Sequence, residues 1–577
     1  MNSRLLSSSV SCCVRRGARP WALPVKPAVN WSGWRLYSSV TAEVKAKSAE
    51  KPYYVTTPIF YVNAAPHVGH LYSMVITDVL KRWQQLQGRT AVLCTGTDEH
   101  GMKIQQAALA ANTPPKQFCD SGAEVFKSLA QQADISYDHF IRTTDQKHYD
   151  AVQHIWDLLA DRGLIYTGKH AGWYSVSDET FYPESSVKQI LSPTTGRKTM
   201  ISTETGQEVE WAEEINYHFK LSAMRENLLD FYAKNPDFIV PAARYKAVVD
   251  EVTSGLSDLS ISRPRSRLTW GIPVPSNEEQ TIYVWLDALV NYITVTGYPW
   301  TPGKELVGGW PADVHVVGKD IVRFHCIYWP AFLLALDLPL PKQILTHAHW
   351  TMNQKKMSKS VGNVVDPFYA MKRYGVDTMR FYMAHDGGIV DDGDYSNREI
   401  INRYQSILQG GLGNLVNRVC SKTFDLEAAI ALGVDSPDLE MTEADQQLQE
   451  AVETVGEKVA EKMAKFEVPG ALKEIVAVIS KTNKYVSESA PWALKDPSLA
   501  AQRHKIIYLS SEAVRVSGIL LRPFMPTKMS ALLDQLSVAA DKRGFEYASF
   551  GKDRTYGVGS SGRKAMLFPP LNEEVLG

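Results

Sequence analysis

Two short segments, far apart in the chain, constrain its fold more than any other feature. Pro66-His67-Val68-Gly69-His70 lies near the start, and Lys356-Met357-Ser358-Lys359-Ser360 lies past the middle. A His-x-Gly-His tetrapeptide occurs by chance in many proteins, whereas the lysine-rich pentapeptide is far rarer. The stretch between them is long enough to hold half of a nucleotide-binding sheet and an insertion. The pair therefore predicts one site assembled from distant parts of the chain.

In this order, the two segments resemble the ATP-site signatures of class I aminoacyl-tRNA synthetases. The resemblance implies that an amino-acid carboxylate attacks the α-phosphate of ATP, which requires positioned donors and cations but no side-chain nucleophile. His67 and His70 would donate ring N–H groups at the start of a helix, where backbone amides also favour phosphate. Gly69 would let adenine approach the backbone closely.

The lysine-rich segment supplies positive charge on a loop. Lys356 and Lys359 would close over the pyrophosphate and act in catalysis together with His67 and His70. The alternative is a solvated loop, which is the simpler interpretation for Lys355 alone. The ATP-binding set implied by the resemblance is His67, Gly69, His70, His347, Lys356, Ser358 and Lys359.

Length and composition fit a large enzyme. The chain has 577 residues, of which 44% are hydrophobic, so we expect three or four domains with cores of their own. No run of about 18 apolar residues suits a membrane span. The six cysteines include no Cys-x-x-Cys pair and no spacing typical of a disulfide framework or zinc site, which indicates a reducing compartment.

The first forty residues have the composition of a mitochondrial transit peptide. They contain eight serines and six basic residues, and no acidic residue precedes Glu43. The sequence around Tyr37 resembles a matrix-protease site, so we expect residues 1–37 to be removed. The alternative is a basic tail that contacts RNA. Removal leaves 56 basic against 63 acidic residues, a net charge of about −7, so RNA must be bound through local basic patches.

Strand and helix patterns alternate in the first part of the chain. Strands are predicted at 51–58 and 90–95, with a helix from about His67 between them, which makes a βαβ unit of an open parallel sheet. Ligands of such sheets bind at the carboxyl ends of the strands. The alternation is interrupted from about 170 to 250 and resumes with strands predicted at 281–285 and 314–318. Beyond about residue 400 the chain is helical, with amphipathic stretches at 444–466 and 502–520.

Longer stretches of the sequence narrow the resemblance to one family. The stretch from Tyr53 to Gly101, together with Trp270–Pro275, Val284–Ala288 and Gly318–His325, resembles the methionyl-tRNA synthetase family over roughly residues 50 to 545. Aromatic faces and aliphatic walls suit a polarizable thioether, and a carboxylate can pair with the substrate ammonium. The methionine-binding residues implied are Ile59, Tyr61, Asp98, Trp285, Ala288, Tyr292, Ile321 and His325.

The family resemblance implies an α/β fold: a Rossmann-type doubly wound parallel sheet split by an inserted domain, followed by an α-helical anticodon-binding bundle. The expected divisions are the transit peptide at 1–37, the first half of the Rossmann catalytic domain at 50–165, the inserted domain at 166–255, the second half at 256–350, a catalytic-loop and stem-contact region at 351–400, the anticodon-binding domain at 401–545 and a tail at 546–577.

The chain departs from the family at two places. Relatives often carry Cys-x-x-Cys zinc knuckles in the inserted domain, whereas the stretch Trp173–Glu179 has serines instead, so we predict no metal and no structural zinc. Relatives often have His-Gly before the lysine loop, whereas this chain has His347-Ala348-His349. That difference makes the role of His347 at the ATP less certain.

The helical region would read the anticodon. By resemblance, Asn414, Arg418 and Trp492 occupy anticodon-reading positions, with Trp492 stacking on a base. Asn414 and Arg418 are four residues apart and share a helix face. The alternative for Trp492 is a buried packing residue. Relatives often add a C-terminal dimerisation module, whereas this chain ends soon after the bundle, so we expect a monomer.

These features predict ATP-dependent charging of mitochondrial tRNA(Met) with L-methionine in the matrix, with ATP–Mg²⁺ as substrate and no membrane partner. Two alternatives stay open. The first is a sister class I synthetase for leucine, isoleucine, valine or cysteine, against which the small insertion and the absence of zinc thiolates argue. The second is an inactive RNA-binding or scaffold protein, against which the intact histidines and lysines argue.

Overall fold

The computed structural model describes residues 51–176, 180–182, 184–191, 196–301, 303–357, 362–434, 439–562 and 566–571. The predicted transit peptide and two predicted ATP-site residues, Ser358 and Lys359, lie outside these ranges. The described strands are β1 Tyr53–Tyr61, β2 Ala91–Asp98, β3 His139–Arg142, β4 Ile165–Ser175, β5 Thr180–Tyr182, β6 Val187–Leu191, β7 Lys198–Ser202, β8 Glu208–Phe219, β9 Ile239–Val240, β10 Leu259–Ser260, β11 Ser262–Pro264, β12 Pro273–Val274, β13 Asn277–Ile282, β14 Val314–Gly318, β15 Gln343–His347, β16 Trp350–Met352, β17 Lys355–Lys356 and β18 Gly393–Asp394.

The described α-helices are α1 Val68–Leu86, α2 Met102–Ala110, α3 Pro115–Gln132, α4 Gln146–Asp161, α5 Arg225–Lys234, α6 Ala242–Ser254, α7 Val284–Thr294, α8 Trp329–Ala335, α9 Pro367–Tyr374, α10 Val376–Asp386, α11 Asn397–Arg403, α12 Asn414–Val419, α13 Leu426–Leu432, α14 Glu443–Ala464, α15 Val468–Ser489, α16 Ala500–Leu520 and α17 Pro526–Gln535. None of these helices is long and apolar enough to cross a membrane.

A six-stranded parallel sheet forms the centre of the first part of the chain. Its strand order is β3-β2-β1-β14-β15-β9, so the order reverses between β1 and β14. Both faces of the sheet are covered by helices, and strands such as β2 and β14 are accordingly almost entirely buried. The predicted doubly wound α/β sheet is confirmed, and its switch point is where ligands of such sheets bind.

Two strand predictions need correction. β1 does not end at Pro58 but continues to Tyr61, after an irregularity in its pairing with β2 between Thr56 and Ile59. The strand predicted at 281–285 ends at Ile282, and Val284 already belongs to α7. β13 also pairs with β11 and β12 in a separate antiparallel sheet. The second error arose because a short apolar run of residues is compatible both with a buried strand and with the first turn of a helix.

The interrupting region builds an antiparallel sheet of its own. Its strands follow the order β5-β4-β8-β7-β6, and β4 and β8 pair over ten residues from Ile165↔Phe219 to Tyr174↔Glu210. The chain then returns to the main sheet earlier than predicted, because β9 pairs with β15 in parallel. The range 166–255 therefore includes one strand of the parallel sheet, a strand of two residues that carries too little pattern to be recognised in sequence.

The helical region follows its predicted pattern closely. α14 and α16 coincide with the two amphipathic stretches, and α14 begins with a capping box in which Thr442 and Asp445 bond each other's backbone amides. The core of this region is continuous with the core on the α1 side of the parallel sheet.

A buried ion pair joins α1 to α10, and its arginine also bonds to the helical region. The Arg380 Nη2 on α10 lies 2.6 Å from the Asp78 Oδ2 on α1, and both side chains are at most 1% exposed. The remaining Arg380 N–H groups donate to the carbonyls of Ala133, Asp134, Pro523 and Phe524. Arg380 therefore ties together α1, the end of α3 and the turn between α16 and α17.

Replacing Arg380 by Gln should lower the free energy of unfolding by about 3–5 kcal/mol, because the buried Asp78 carboxylate loses one of its two arginine partners and four backbone carbonyls lose a charged donor. Denaturant unfolding would measure this. The control is Lys246→Gln, which breaks an exposed pair with Asp250 and should cost at most about 1 kcal/mol. Equal losses in the two variants would show that Arg82 and the Ser136 amide hold Asp78 well enough by themselves.

Candidate active site

Helix α1 begins with a cap made by the two histidines of the first segment. The His67 Nδ1 accepts a hydrogen bond from the Gly69 backbone N–H at 3.0 Å, and the His70 Nδ1 accepts one from the His67 backbone N–H at 3.0 Å. These bonds satisfy amides that a helix start leaves without partners. Because a nitrogen that accepts cannot carry the proton, the proton of each neutral ring lies on Nε2. The segment thus supplies two ring N–H donors.

The same cap explains the glycine between the histidines. A Cβ atom at Gly69 would lie 2.8 Å from the His67 Cε1, so another residue would displace the ring. This is a local reason for glycine that sequence reasoning missed. Burial and the His67 ring hold the pKa of His70 well below its ordinary value, so His70 stays neutral at physiological pH.

A cavity of about 350 Å³ lies at the carboxyl ends of β1, β2 and β14, at the switch point of the sheet. It is lined by both histidines of the first segment and by every residue predicted for methionine. The predicted residues on its wall are Ile59, Tyr61, His67, Gly69, His70, Asp98, Trp285, Ala288, Tyr292, Ile321, His325, His347 and Lys356. Their positions agree with one shared site, and their individual roles remain predictions.

One end of the cavity is aromatic. The Tyr292 hydroxyl donates to the His325 Nε2 at 2.6 Å, while the His325 Nδ1 donates to the Ile321 carbonyl at 2.9 Å. Trp285 stacks on Phe324 with centroids 3.7 Å apart and meets the His325 ring edge-on at 6.0 Å. These contacts leave an apolar wall with few rotatable groups, which suits an unbranched thioether chain.

The aromatic residues at this end of the cavity lie on helices rather than at strand ends. Trp285, Ala288 and Tyr292 lie on successive turns of α7, and His325 lies in the π-helical stretch Phe324–Tyr328. A π-helical insertion often marks a functional position, because the extra residue displaces the local side chains. The cavity wall is therefore made by two helices facing the ends of β1 and β2.

The opposite wall carries charge. Asp98 ends β2 and pairs in register with Tyr61 at the end of β1. The Lys103 Nζ lies 5.3 Å from the centre of the Tyr61 ring and also lines the cavity. Sequence reasoning missed Lys103, although it follows Gly101 in the turn after β2 by only two residues.

Buried histidines fix the start of α7. The two carboxylate oxygens of Asp287 accept from the His100 Nδ1 at 2.7 Å and the His148 Nε2 at 2.8 Å. Burial alone would raise the pKa of Asp287, but these two histidines lower it below its ordinary value. The network joins the loop after β2 to α7, and so it sets the distance between Asp98 and Trp285. Sequence reasoning also missed this network, since neither histidine is part of a recognisable motif.

The edge predicted to hold ATP is formed by His347, the last residue of β15, and by residues that follow β14 and β15. The buried His347 Nε2 lies 2.8 Å from the Ser73 hydroxyl on α1, and its Nδ1 donates to the Ala348 carbonyl at 2.8 Å. Burial lowers the pKa of His347 to about 4. Beside it, burial would raise the pKa of Asp320, but the His349 side chain lowers it to about 2. Lys356 is exposed at the cavity rim, immediately before the undescribed part of the lysine segment.

The predicted anticodon residues also lie together. Trp492 follows α15 and is 46% exposed, so it is not a core residue. The Arg418 guanidinium lies 6.0 Å from the centre of its ring, and Arg418 also donates to the Ser487 hydroxyl. Asn414 is one turn earlier on α12 and partly exposed. The arrangement offers an aromatic face beside a cation and an amide.

Comparison with known proteins decides the family. The model for "tRNA synthetases class I (M)" matches residues 53–420, and the model for the "anticodon binding domain of methionyl tRNA ligase" matches residues 437–550. The chain belongs to the class I methionyl-tRNA synthetases.

Individual relatives agree over most of the chain. A probable mitochondrial methionine–tRNA ligase of Neurospora crassa is 53% identical, covering 94% of this chain and 89% of that protein. The mitochondrial methionine–tRNA ligase of Homo sapiens is 41% identical, covering 94% of each. The structure of Mycobacterium tuberculosis methionyl-tRNA synthetase with methionyl-adenylate superposes with a TM-score of 0.83 at 38% identity, covering 90% of this chain and all of that chain.

No three His, Cys, Asp or Glu side chains come together to hold a metal ion within the part of the synthetase that the structure describes. Ser175 is buried there, whereas Ser177 and Asp178 lie outside the described residues. The expected lack of structural zinc therefore stays a prediction.

The buried histidines should make stability depend on pH. Burial lowers the pKa of His325 from 6.5 to about 4, so the unfolded chain binds the extra proton first as the pH falls. The contribution of neutral His325 to the unfolding free energy is complete above pH 6.5. It is lost towards pH 4, by about 1.4 kcal/mol for each pH unit. His325→Gln keeps both kinds of hydrogen bond and should reduce the pH dependence of the unfolding free energy. The rest of the dependence should persist, because burial also lowers the pKa of His70, His315 and His347. An unchanged slope in His325→Gln would mean that His325 is not responsible.

Proposed function

We propose that this synthetase activates L-methionine with ATP to form methionyl-adenylate, and transfers the methionyl group to mitochondrial tRNA(Met) in the matrix. The observation that carries the proposal is that the residues predicted for methionine, and those predicted for ATP that the structure describes, line one cavity at the sheet's switch point. The acid-free leader and the mitochondrial relatives support the location. We further propose a monomer, which light scattering would test.

Methionine would lie between the aromatic and the charged wall. Its thioether chain would contact Trp285, Tyr292 and Ile321, while its ammonium would pair with Asp98. The pocket cannot reject homocysteine completely, since one missing methyl group changes binding by about 1–3 kcal/mol. The hydrogen bond from Tyr292 to His325 would hold both rings in place against the thioether chain.

ATP would enter as its Mg²⁺ complex along the start of α1. The Nε2–H groups of His67 and His70 would donate to phosphate oxygens, where the helix N-terminus adds a favourable field. As the methionine carboxylate attacks the α-phosphate, charge develops on the leaving pyrophosphate. Lys356 and Lys359 would stabilise that charge from the opposite side. No side chain forms a covalent intermediate.

The decisive experiment is amino-acid-dependent exchange of labelled pyrophosphate into ATP, run with each of the twenty amino acids. We expect exchange with methionine, and a fall of about 10²- to 10³-fold in Lys356→Ala, the scale for removing one preorganised transition-state contact. Methionine binding, followed by tryptophan fluorescence, should change little. Lys372→Ala, an exposed lysine on α9, is the matched control. Preference for another amino acid would assign a sister synthetase, and no exchange at all would favour an inactive RNA-binding protein.

The anticodon role is tested separately at Trp492. Trp492→Ala should cost about 1–3 kcal/mol in tRNA recognition, because one base–aromatic stack is lost. Trp492→Phe should retain most of the affinity. Since Trp492 is exposed, pyrophosphate exchange and the melting temperature should be unaltered in both. Parallel loss of exchange, charging and thermal stability would contradict an anticodon role and indicate a packing residue.

A further inference from the structure

A second cleft lies at the opposite end of α1 from the histidine cap. Its volume is about 220 Å³, and it is lined by Arg82 and Gln85 on α1 and by Arg522 and Ser530 from the region of α16 and α17. Helix α1 has 19 residues, so the two ends lie about 28 Å apart at about 1.5 Å per residue. This cleft is therefore separate from the proposed methionine and ATP site.

Arg522 is a partly buried cation without a carboxylate partner among the residues described. Its Nη1 donates to the Arg543 carbonyl at 2.7 Å, and that is its one hydrogen bond within this part of the chain. The exposed Glu546 has its carboxylate beside Gly544 at the wall of the cleft, but it forms no ion pair with Arg522 among the residues described. Arginines removed from water are normally paired, so the Nε and Nη2 donors of Arg522 call for an external acceptor.

Two further arginines lie close to Arg522, and both already have carboxylate partners. Arg82 pairs with Asp78 and Asp134, and Arg543 pairs with Asp534, whereas Arg522 lines the cleft with Arg82 and bonds only to the Arg543 backbone among the residues described. Burial, Arg543 and Arg82 all lower the pKa of Arg522. Because Arg82 belongs to the sheet domain and Arg522 to the helical region, their repulsion acts across the junction of the two.

We propose that this cleft binds a small phosphate-type anion, whose oxygens bridge Arg82 and Arg522 and so join the two parts of the protein. Guanidinium groups match phosphate oxygens in geometry, and the Ser530 hydroxyl can add a donor. The cleft is smaller than the usual range of about 300–1,000 Å³ for larger ligands, which favours inorganic phosphate or pyrophosphate over a whole nucleotide. The proposal does not depend on the proposed function.

The first test is thermal unfolding of the full chain in chloride and in inorganic phosphate at equal ionic strength. Phosphate should raise the melting temperature of the unsubstituted protein more than that of Arg522→Gln, because only the former gains by binding. Arg265→Gln is the matched control, since Arg265 also donates to a backbone carbonyl but is exposed. General salting effects of phosphate should be common to all three proteins.

A second variant does not depend on removing Arg522. Gln85→Glu places a carboxylate at the exposed edge of the cleft, so it should raise the melting temperature in chloride and abolish the extra gain in phosphate. Equilibrium dialysis with labelled phosphate should show a site at least about tenfold weaker in Arg522→Gln. Any phosphate held in the nucleotide cavity should be retained by that variant.

Three results would overturn the proposal. Equal phosphate gains in all proteins would mean that no anion binds at Arg522. A lower melting temperature of Arg522→Gln in chloride, with the phosphate gain intact, would make Arg522 a structural residue. Weaker tRNA binding with unchanged phosphate binding would assign Arg522 to RNA instead.

Discussion

The placement of helix α1 is the constraint on which the rest of the structure depends. Its first turn carries the histidine cap at the switch point of the sheet, and its middle holds Asp78 in a buried pair with Arg380. Its last turns pack on the helical region, where Trp83 meets Phe545 edge-on with centroids 5.4 Å apart. A displacement of this helix would therefore move the histidine cap and the contacts with the helical region together.

Much of this arrangement could be predicted from local sequence. The start of α1 at the first histidine, strand β14 and the long helices α14 and α16 all follow from capping residues and hydrophobic periodicity. The residues that line the cavity were predicted from the family resemblance, because hydrophobic periodicity does not indicate which distant residues share a site. The exposed position of Trp492 also agrees with the interpretation that the sequence favoured.

The features that could not be predicted depend on contacts between distant segments. The run around Trp285 reads equally as strand or helix, and only its packing against Phe324 and the Asp287 network makes it the first turn of α7. β9 has two residues and is recognisable only through its pairing with β15. Arg380 is one arginine among many until the fold surrounds it with backbone carbonyls.

The histidine cap has a consequence for the order in which the site can form during folding. Its hydrogen bonds span two or three residues, so the orientation of both imidazole rings is set as soon as the first turn of α1 forms. The other half of the cavity requires β1 to meet β14, and the contacting side chains Thr56 and His315 are 259 residues apart. Closing so long a loop is entropically costly and slow. The two rings predicted to bind phosphate can therefore be oriented by local structure alone, whereas the predicted amino-acid pocket has to wait for the sheet.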